Sequence, residues 1–147
     1  MEIRPGILFV DLGNTCRSVF AEYLASRCED VKLPTGWIES AGIDDAQPPD
    51  PTGPAIALLR EEFGIDASAH RPRCVKYLSL RSFHYIIAID IPESTEVYDL
   101  ILGRSLAVDR LRRWSIDDLW RQPRAYRSCA ARVIEHLREF RSTEFGY

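Results

Sequence analysis

Residues Ile7-Leu8-Phe9-Val10 form an unbroken apolar run, and Gly13-Asn14 follow it closely. Successive side chains of a strand point to opposite faces, so four large apolar residues in a row need cover on both sides. A central strand of a parallel sheet meets that condition. Phe20, Leu24 and Cys28 then recur at i, i+4 and i+8, which predicts a helix from about Ser18. A buried strand, a tight turn and a helix in immediate succession commit the chain to an α/β architecture.

The rest of the chain repeats this alternation. Trp37-Ile38-Glu39-Ser40-Ala41 reads as a second strand closed by Gly42, and a loop holding Pro48, Pro49 and Pro51 follows. A helix is expected near Pro54–Phe63, ended by Gly64. Tyr85–Ile89 is a second doubly apolar run and the third strand; a helix around Glu93–Leu102 and a weaker fourth strand at Leu106–Leu111 complete the pattern. The last helix is the clearest, with Tyr126, Cys129, Val133, Leu137 and Phe140 stepping by three and four. The expectation is one domain over residues 1–147, with a central four-stranded parallel sheet and helices on both faces.

Composition narrows the function. A net charge of −3 and a pI near 5.6 lack the cationic excess of a nonspecific nucleic-acid binder. The apolar runs are too short to span a bilayer, and the chain does not open with a basic stretch and long apolar segment, so a cytoplasmic protein without membrane contact is expected. Cys16, Cys28, Cys74 and Cys129 stand far apart with neither CxxC nor zinc spacing, which suits reduced thiols and suggests no metal or other cofactor. Of 19 basic residues, 17 are Arg, a bias toward bidentate oxyanion partners that composition alone explains equally well.

The chemistry lies in Val10-Asp11-Leu12-Gly13-Asn14-Thr15-Cys16-Arg17-Ser18. Gly13 and Asn14 both tolerate left-handed backbone, which lets successive N–H groups converge. Next to a helix N-terminus such a turn forms a nest for a tetrahedral oxyanion, and Arg17 can add a bidentate clamp. Free phosphate or sulfate is therefore an expected ligand. The plainer alternative is an ordinary strand-to-helix turn.

This turn resembles the phosphate-binding loop of low-molecular-weight protein tyrosine phosphatases, whose pattern is Cys, five residues, Arg, Ser. Similarity continues through Ser40-Ala41-Gly42, Asp50-Pro51, Gly64-Ile65-Asp66, His70-Arg71-Pro72-Arg73, Phe83 through Asp90, and Asp118-Leu119-Trp120. The resemblance implies hydrolysis of a phosphorylated protein or small phosphomonoester. It implies backbone donation to phosphate from Leu12, Gly13, Asn14, Thr15, Cys16 and Arg17, with the Arg17 side chain binding as well. Ser18 would bond the nucleophile, Asn14 would hold the strained loop, and His70 would brace it. Asp118 would be the general acid, with Asp117 as the alternative because Leu119 replaces a proline. Leu12 and Trp120 would wall an aromatic-sized cleft. Read without the resemblance, Asp118 is a helix cap or loop acid, Arg121, Arg124 and Arg127 are a solvated helix face, and Tyr98 is plain surface.

One departure bears on mechanism: Asp11 stands where the family's nucleophilic Cys would be, and Cys16 matches its second loop Cys. The loop's field is expected to keep an Asp there ionised. A carboxylate is a weaker nucleophile than a thiolate and repels an incoming oxyanion by roughly 4 kcal/mol at about 4 Å and an effective dielectric near 20. Phosphoryl transfer to a carboxylate normally leans on Mg²⁺, and no carboxylate cluster stands beside this loop in the sequence. Two functions follow. One is a phosphatase scaffold, inactive or strongly impaired at Asp11, whether the substitution silences an ordinary enzyme or occurs naturally. The other is a non-phosphatase anion-binding module or carboxylate-dependent enzyme on the same loop. An arsenate reductase, which needs a thiol at position 11, is a third and weaker reading.

Overall fold

The structure is a computed structural model that describes residues 6–14, 16–43, 52–91, 110–116 and 123–146. Four strands, β1 (Ile7–Asp11), β2 (Ile38–Gly42), β3 (Tyr85–Ile89) and β4 (Leu111–Trp114), form one sheet in the order β2-β1-β3-β4, and every pairing is parallel. Helices α1 (Arg17–Arg27), α2 (Thr52–Phe63) and α3 (Pro123–Phe145) accompany them.

The apolar run behaves as its alternation requires. Ile7 and Phe9 point into a large cluster with the three helices, whereas Leu8 and Val10 join a smaller cluster on the opposite face. Ile87 and Ile89 of β3 extend the first cluster and Ile86 the second. The large cluster is closed by Phe20 and Leu24 of α1, Leu59 of α2, and Cys129, Val133, Leu137 and Phe140 of α3. Val75, Leu80 and Phe83, in and beside two short 3-10 turns at Val75–Tyr77 and Leu80–Ser82, cover the smaller one. The helix expected at Glu93–Leu102 and the Pro48–Pro51 loop lie outside the described residues.

Two boundaries differ from expectation for physical reasons. The fourth strand is Leu111–Trp114, not Leu106–Leu111, and residues 106–109 lie outside the described set. The pairing of Ile86–Ile89 with Leu111–Trp114 sets its position. An edge strand is only half covered and needs no continuous apolar run; this one carries Arg112, whose guanidinium forks onto Glu144 of α3 at 2.7 and 2.9 Å. Cys28 is not a helical residue but the residue after α1, its N–H bonded to the Leu24 carbonyl. Gly64, at φ +65°, closes α2 in the left-handed conformation that glycine adopts without strain.

Leu24 is fully buried between the sheet and the other helices. Leu24→Ala should cost about 2–5 kcal/mol of unfolding free energy. Urea denaturation checks this, with a lower midpoint and an unchanged m-value expected.

Candidate active site

The β1–α1 turn sits at the carboxyl end of the central strand, where ligands bind in open parallel sheets. Asn14 is fully buried with φ +58°, the left-handed geometry that reverses the chain between strand and helix. Its side chain is fully engaged. Nδ2 donates to Ser18 Oγ and to Ser40 Oγ, each at 2.9 Å, and Oδ1 accepts the Arg73 N–H at 3.0 Å. Its carbonyl oxygen lies 3.1 Å from His70 Nε2, which donates there as the N–H tautomer. Ser40 Oγ donates in turn to Glu22 at 2.6 Å. Burial pushes the Glu22 carboxyl above its ordinary range, against the pull of Ser40, His70 and Arg73.

The neighbouring strand packs on the loop without a gap. The Ile43 N–H reaches the carbonyls of Asp11 and Leu12, and Gly42 N–H donates to the Arg73 carbonyl. A Cβ on Gly42 would lie 2.7 Å from the Gly13 carbonyl carbon and 2.9 Å from Asn14 N.

Asp11 ends β1 with its side chain buried inside the turn. Oδ1 accepts the Asn14 N–H at 2.6 Å, and Oδ2 accepts the Ser18 N–H at 2.9 Å. Desolvation raises its pKa, and the amide bonds, the Ser18 hydroxyl and the Arg17 charge only partly oppose that rise. The expectation that the loop's field would favour the anion is thereby reversed in sign: removal from water outweighs the donors.

Arg17, the first residue of α1, is also buried. Its guanidinium donates to Asp90 Oδ2 at 3.3 Å and to the Ile116 carbonyl at 3.1 Å. Asp90 follows β3 with φ +49° and has its N–H bonded to the Trp114 carbonyl. Arg17 is thus held from the ends of β3 and β4.

In the loop, Cys16 packs against the cluster that holds Cys129 of α3, and the nearby Cys129 thiol, with burial, pushes the Cys16 pKa upward. Both cysteines are free thiols. Leu12 projects from the loop about half exposed. Arg127 pairs with Glu62 across α2 and α3, an exposed contact on the helix surface. Thr15, Asp117, Asp118, Leu119, Trp120, Arg121 and Tyr98 lie outside the described residues, as does the side chain of Arg124. The described site therefore unites Asp11, Leu12, Gly13, Asn14, Cys16, Arg17, Ser18 and His70. Among the described residues no three His, Cys, Asp or Glu side chains converge as a metal site requires.

Asp90, Ser40, Glu22 and Arg73 belong to this network with no role assigned from sequence. Asp90 was discoverable, since an acid directly after a buried strand run stands at the carboxyl edge of the sheet. Ser40 and Glu22 were not, because their partnership spans two elements and depends on the pairing of Phe9 with Ser40.

Similarity to known proteins agrees with this geometry. Residues 6–138 match the family described as Low molecular weight phosphotyrosine protein phosphatase, and the chain belongs to that family. A pig (Sus scrofa) protein of that name is 33% identical over 94 residues, a match covering 60% of this chain and 57% of the pig protein. Among solved structures, the low molecular weight protein tyrosine phosphatase of T. tengcongensis superposes with a TM-score of 0.75 at 22% identity, covering 95% of this chain and 99% of that one. An arsenate reductase from Archaeoglobus fulgidus gives 0.68 at 28% identity, covering 91% and 97%.

The packing of Gly42 against the loop is open to test. Gly42→Ala should destabilise the fold by about 1–3 kcal/mol, because the loop backbone has to move away from the new methyl group; thermal denaturation measures it. A second expectation concerns pH. A carboxyl whose pKa is raised on folding binds more protons in the native state than in the unfolded one, so it loses stability as pH rises through the folded pKa. The stability of Asp11→Asn minus that of the parent should therefore increase with pH, by at most about 1.4 kcal/mol per pH unit. Denaturant titrations across the acidic range would show a constant difference if burial did not raise this group.

Proposed function

We propose that this chain is a phosphomonoester phosphatase scaffold of the phosphotyrosine type, with its own hydrolytic activity absent or strongly impaired by Asp11. The observation that carries the reading is an anion, the Asp11 carboxylate, seated against converging N–H groups of a left-handed turn at a helix start, in a chain of this family. In this reading Leu12 to Arg17 offer backbone donors to phosphate, and the Arg17 side chain turns from Asp90 to clamp it. Asn14, Ser18 and His70 hold the loop. Leu12 and Trp120 wall the substrate cleft, and Asp118 protonates the leaving oxygen, with Asp117 as the alternative. The substrates are a phosphorylated protein or a small phosphomonoester, met in the cytoplasm, with phosphate or sulfate as simple ligands. An arsenate reductase of this fold, solved in its phosphate binding state, superposes with a TM-score of 0.69 at 20% identity.

Asp11 stands where the family's thiolate would attack phosphorus. A thiolate in such a nest is available near neutral pH and leaves readily when water attacks the thiophosphate. A carboxylate attacks less readily, and both oxygens of this one are already bonded to the loop. Arsenate reduction meets the same obstacle, since it begins with a thiol at this position. A second reading has an observation of its own: a carboxylate that satisfies the loop from within suits a non-phosphatase binding module or a carboxylate-dependent enzyme.

Restoration separates the two. Asp11→Cys should hydrolyse p-nitrophenyl phosphate and phosphotyrosine, with an initial burst of nitrophenol, because the donors around the nucleophile are already placed. A further Asp118→Ala should slow turnover by about 10²–10⁴-fold. A folded Asp11→Cys protein without turnover above the parent would favour the binding module.

A further inference from the structure

Both oxygens of the Asp11 carboxylate accept backbone N–H groups of the turn, at 2.6 Å from Asn14 and 2.9 Å from Ser18. The side chain is almost wholly inaccessible, so water cannot screen it. A second anion entering this nest would face that carboxylate across the loop with no solvent between them. Arg17 supplies one positive charge, and Asp90 already shares it.

We propose that the loop takes up a tetrahedral dianion only together with one proton, which is bound by Asp11. This inference rests on the reading of the loop as an oxyanion site and specifies the state in which it binds. The change is balanced: a carboxylate, a proton from solvent and a dianion become a carboxylic acid beside a bound dianion. The acid's O–H then donates to the anion, so a repulsive contact becomes a hydrogen bond. The carbonyl oxygen of the acid keeps an acceptor for the turn.

Neighbouring groups favour Asp11 as the proton's destination. Burial already raises its pKa, so protonation there costs less than at an ordinary carboxylate. Arg17 and Cys16 face it from the start of α1, and Cys129 lies behind Cys16 on α3. Asp90, at the end of β3, is the partner that an anion on Arg17 would displace. His70 and Glu22 stand behind the loop, reached through the Asn14 carbonyl and through Ser40.

Inorganic sulfate is the probe, because its charge stays fixed across the mildly acidic and neutral range. Calorimetric titration of the whole chain in buffers of different ionisation enthalpy yields the protons taken up per sulfate. The parent should take up about one proton more than Asp11→Asn, and its affinity should fall about tenfold per pH unit above the coupled pKa. At neutral pH Asp11→Asn should bind at least tenfold more tightly than the parent. Subtracting the variant removes uptake by Asp90, His70 and Glu22. Asp11→Ser serves as the second neutral variant if the Asn side chain leaves an amide unpaired and the protein fails to fold. Equal proton uptake in the parent and the neutral variants, or pH-independent sulfate affinity in the parent, overturns the proposal while leaving the oxyanion site standing. Sulfate binding to none of the three proteins at any pH overturns the oxyanion site as well.

Discussion

The structure depends on one left-handed residue. Asn14 reverses the chain between a central strand and the helix behind it, and a buried side chain in that geometry persists only where its surroundings hold it. Four residues do so: Ser18 from α1, Ser40 from β2, and Arg73 and His70 from the segment after α2. Each bond satisfies a polar group that would otherwise be buried unpaired, at a cost of about 1–3 kcal/mol. The rigidity of the turn is therefore borrowed from the fold around it. The same bonds fix where the Asn14 and Ser18 amides point, and so where an anion can be held.

Burial sets the electrostatics of that anion. In water Asp11 would be an ordinary carboxylate; enclosed by the turn, it carries a desolvation penalty larger than the relief offered by two amides, a hydroxyl and a guanidinium. The donors are present and well placed, yet the charged form is less favoured than it would be in water. A hydrogen-bond inventory by itself gives the opposite sign, which is why the expectation from sequence ran the other way. The same inventory misses the partners of Arg17, Asp90 and the Ile116 carbonyl, which come from just beyond the ends of β3 and β4.

Much of the fold was legible because its signals are local. The runs Ile7–Val10 and Tyr85–Ile89 could be covered on both faces only as inner strands, and the spacing from Cys129 to Phe140 left one helical face to bury. β4 escaped because an edge strand carrying Arg112 and Arg113 has little apolar pattern, and its place is set by pairing with β3. The loop's residues stood out through Gly13, Asn14 and Arg17. Ser40 and Glu22, which hold them from behind, did not, since both look like ordinary polar residues until the strand register brings them beside the loop.

The reach of the Arg17 contacts bears on how the chain assembles. Its two acceptors lie 73 and 99 residues further along, and the helix that covers α1 comes later still. During synthesis Ser18 and then Ser40 follow the turn closely, but His70 and Arg73, and later the acceptors that anchor Arg17, leave the ribosome well after it. The Ile, Leu, Phe and Val of β1 then lack their β3 neighbour and their α3 cover until those later segments emerge. The β1–β3 pairing and the packing of α3 on α1 join segments far apart in sequence, so the topology belongs to the class whose loop-closure cost slows folding.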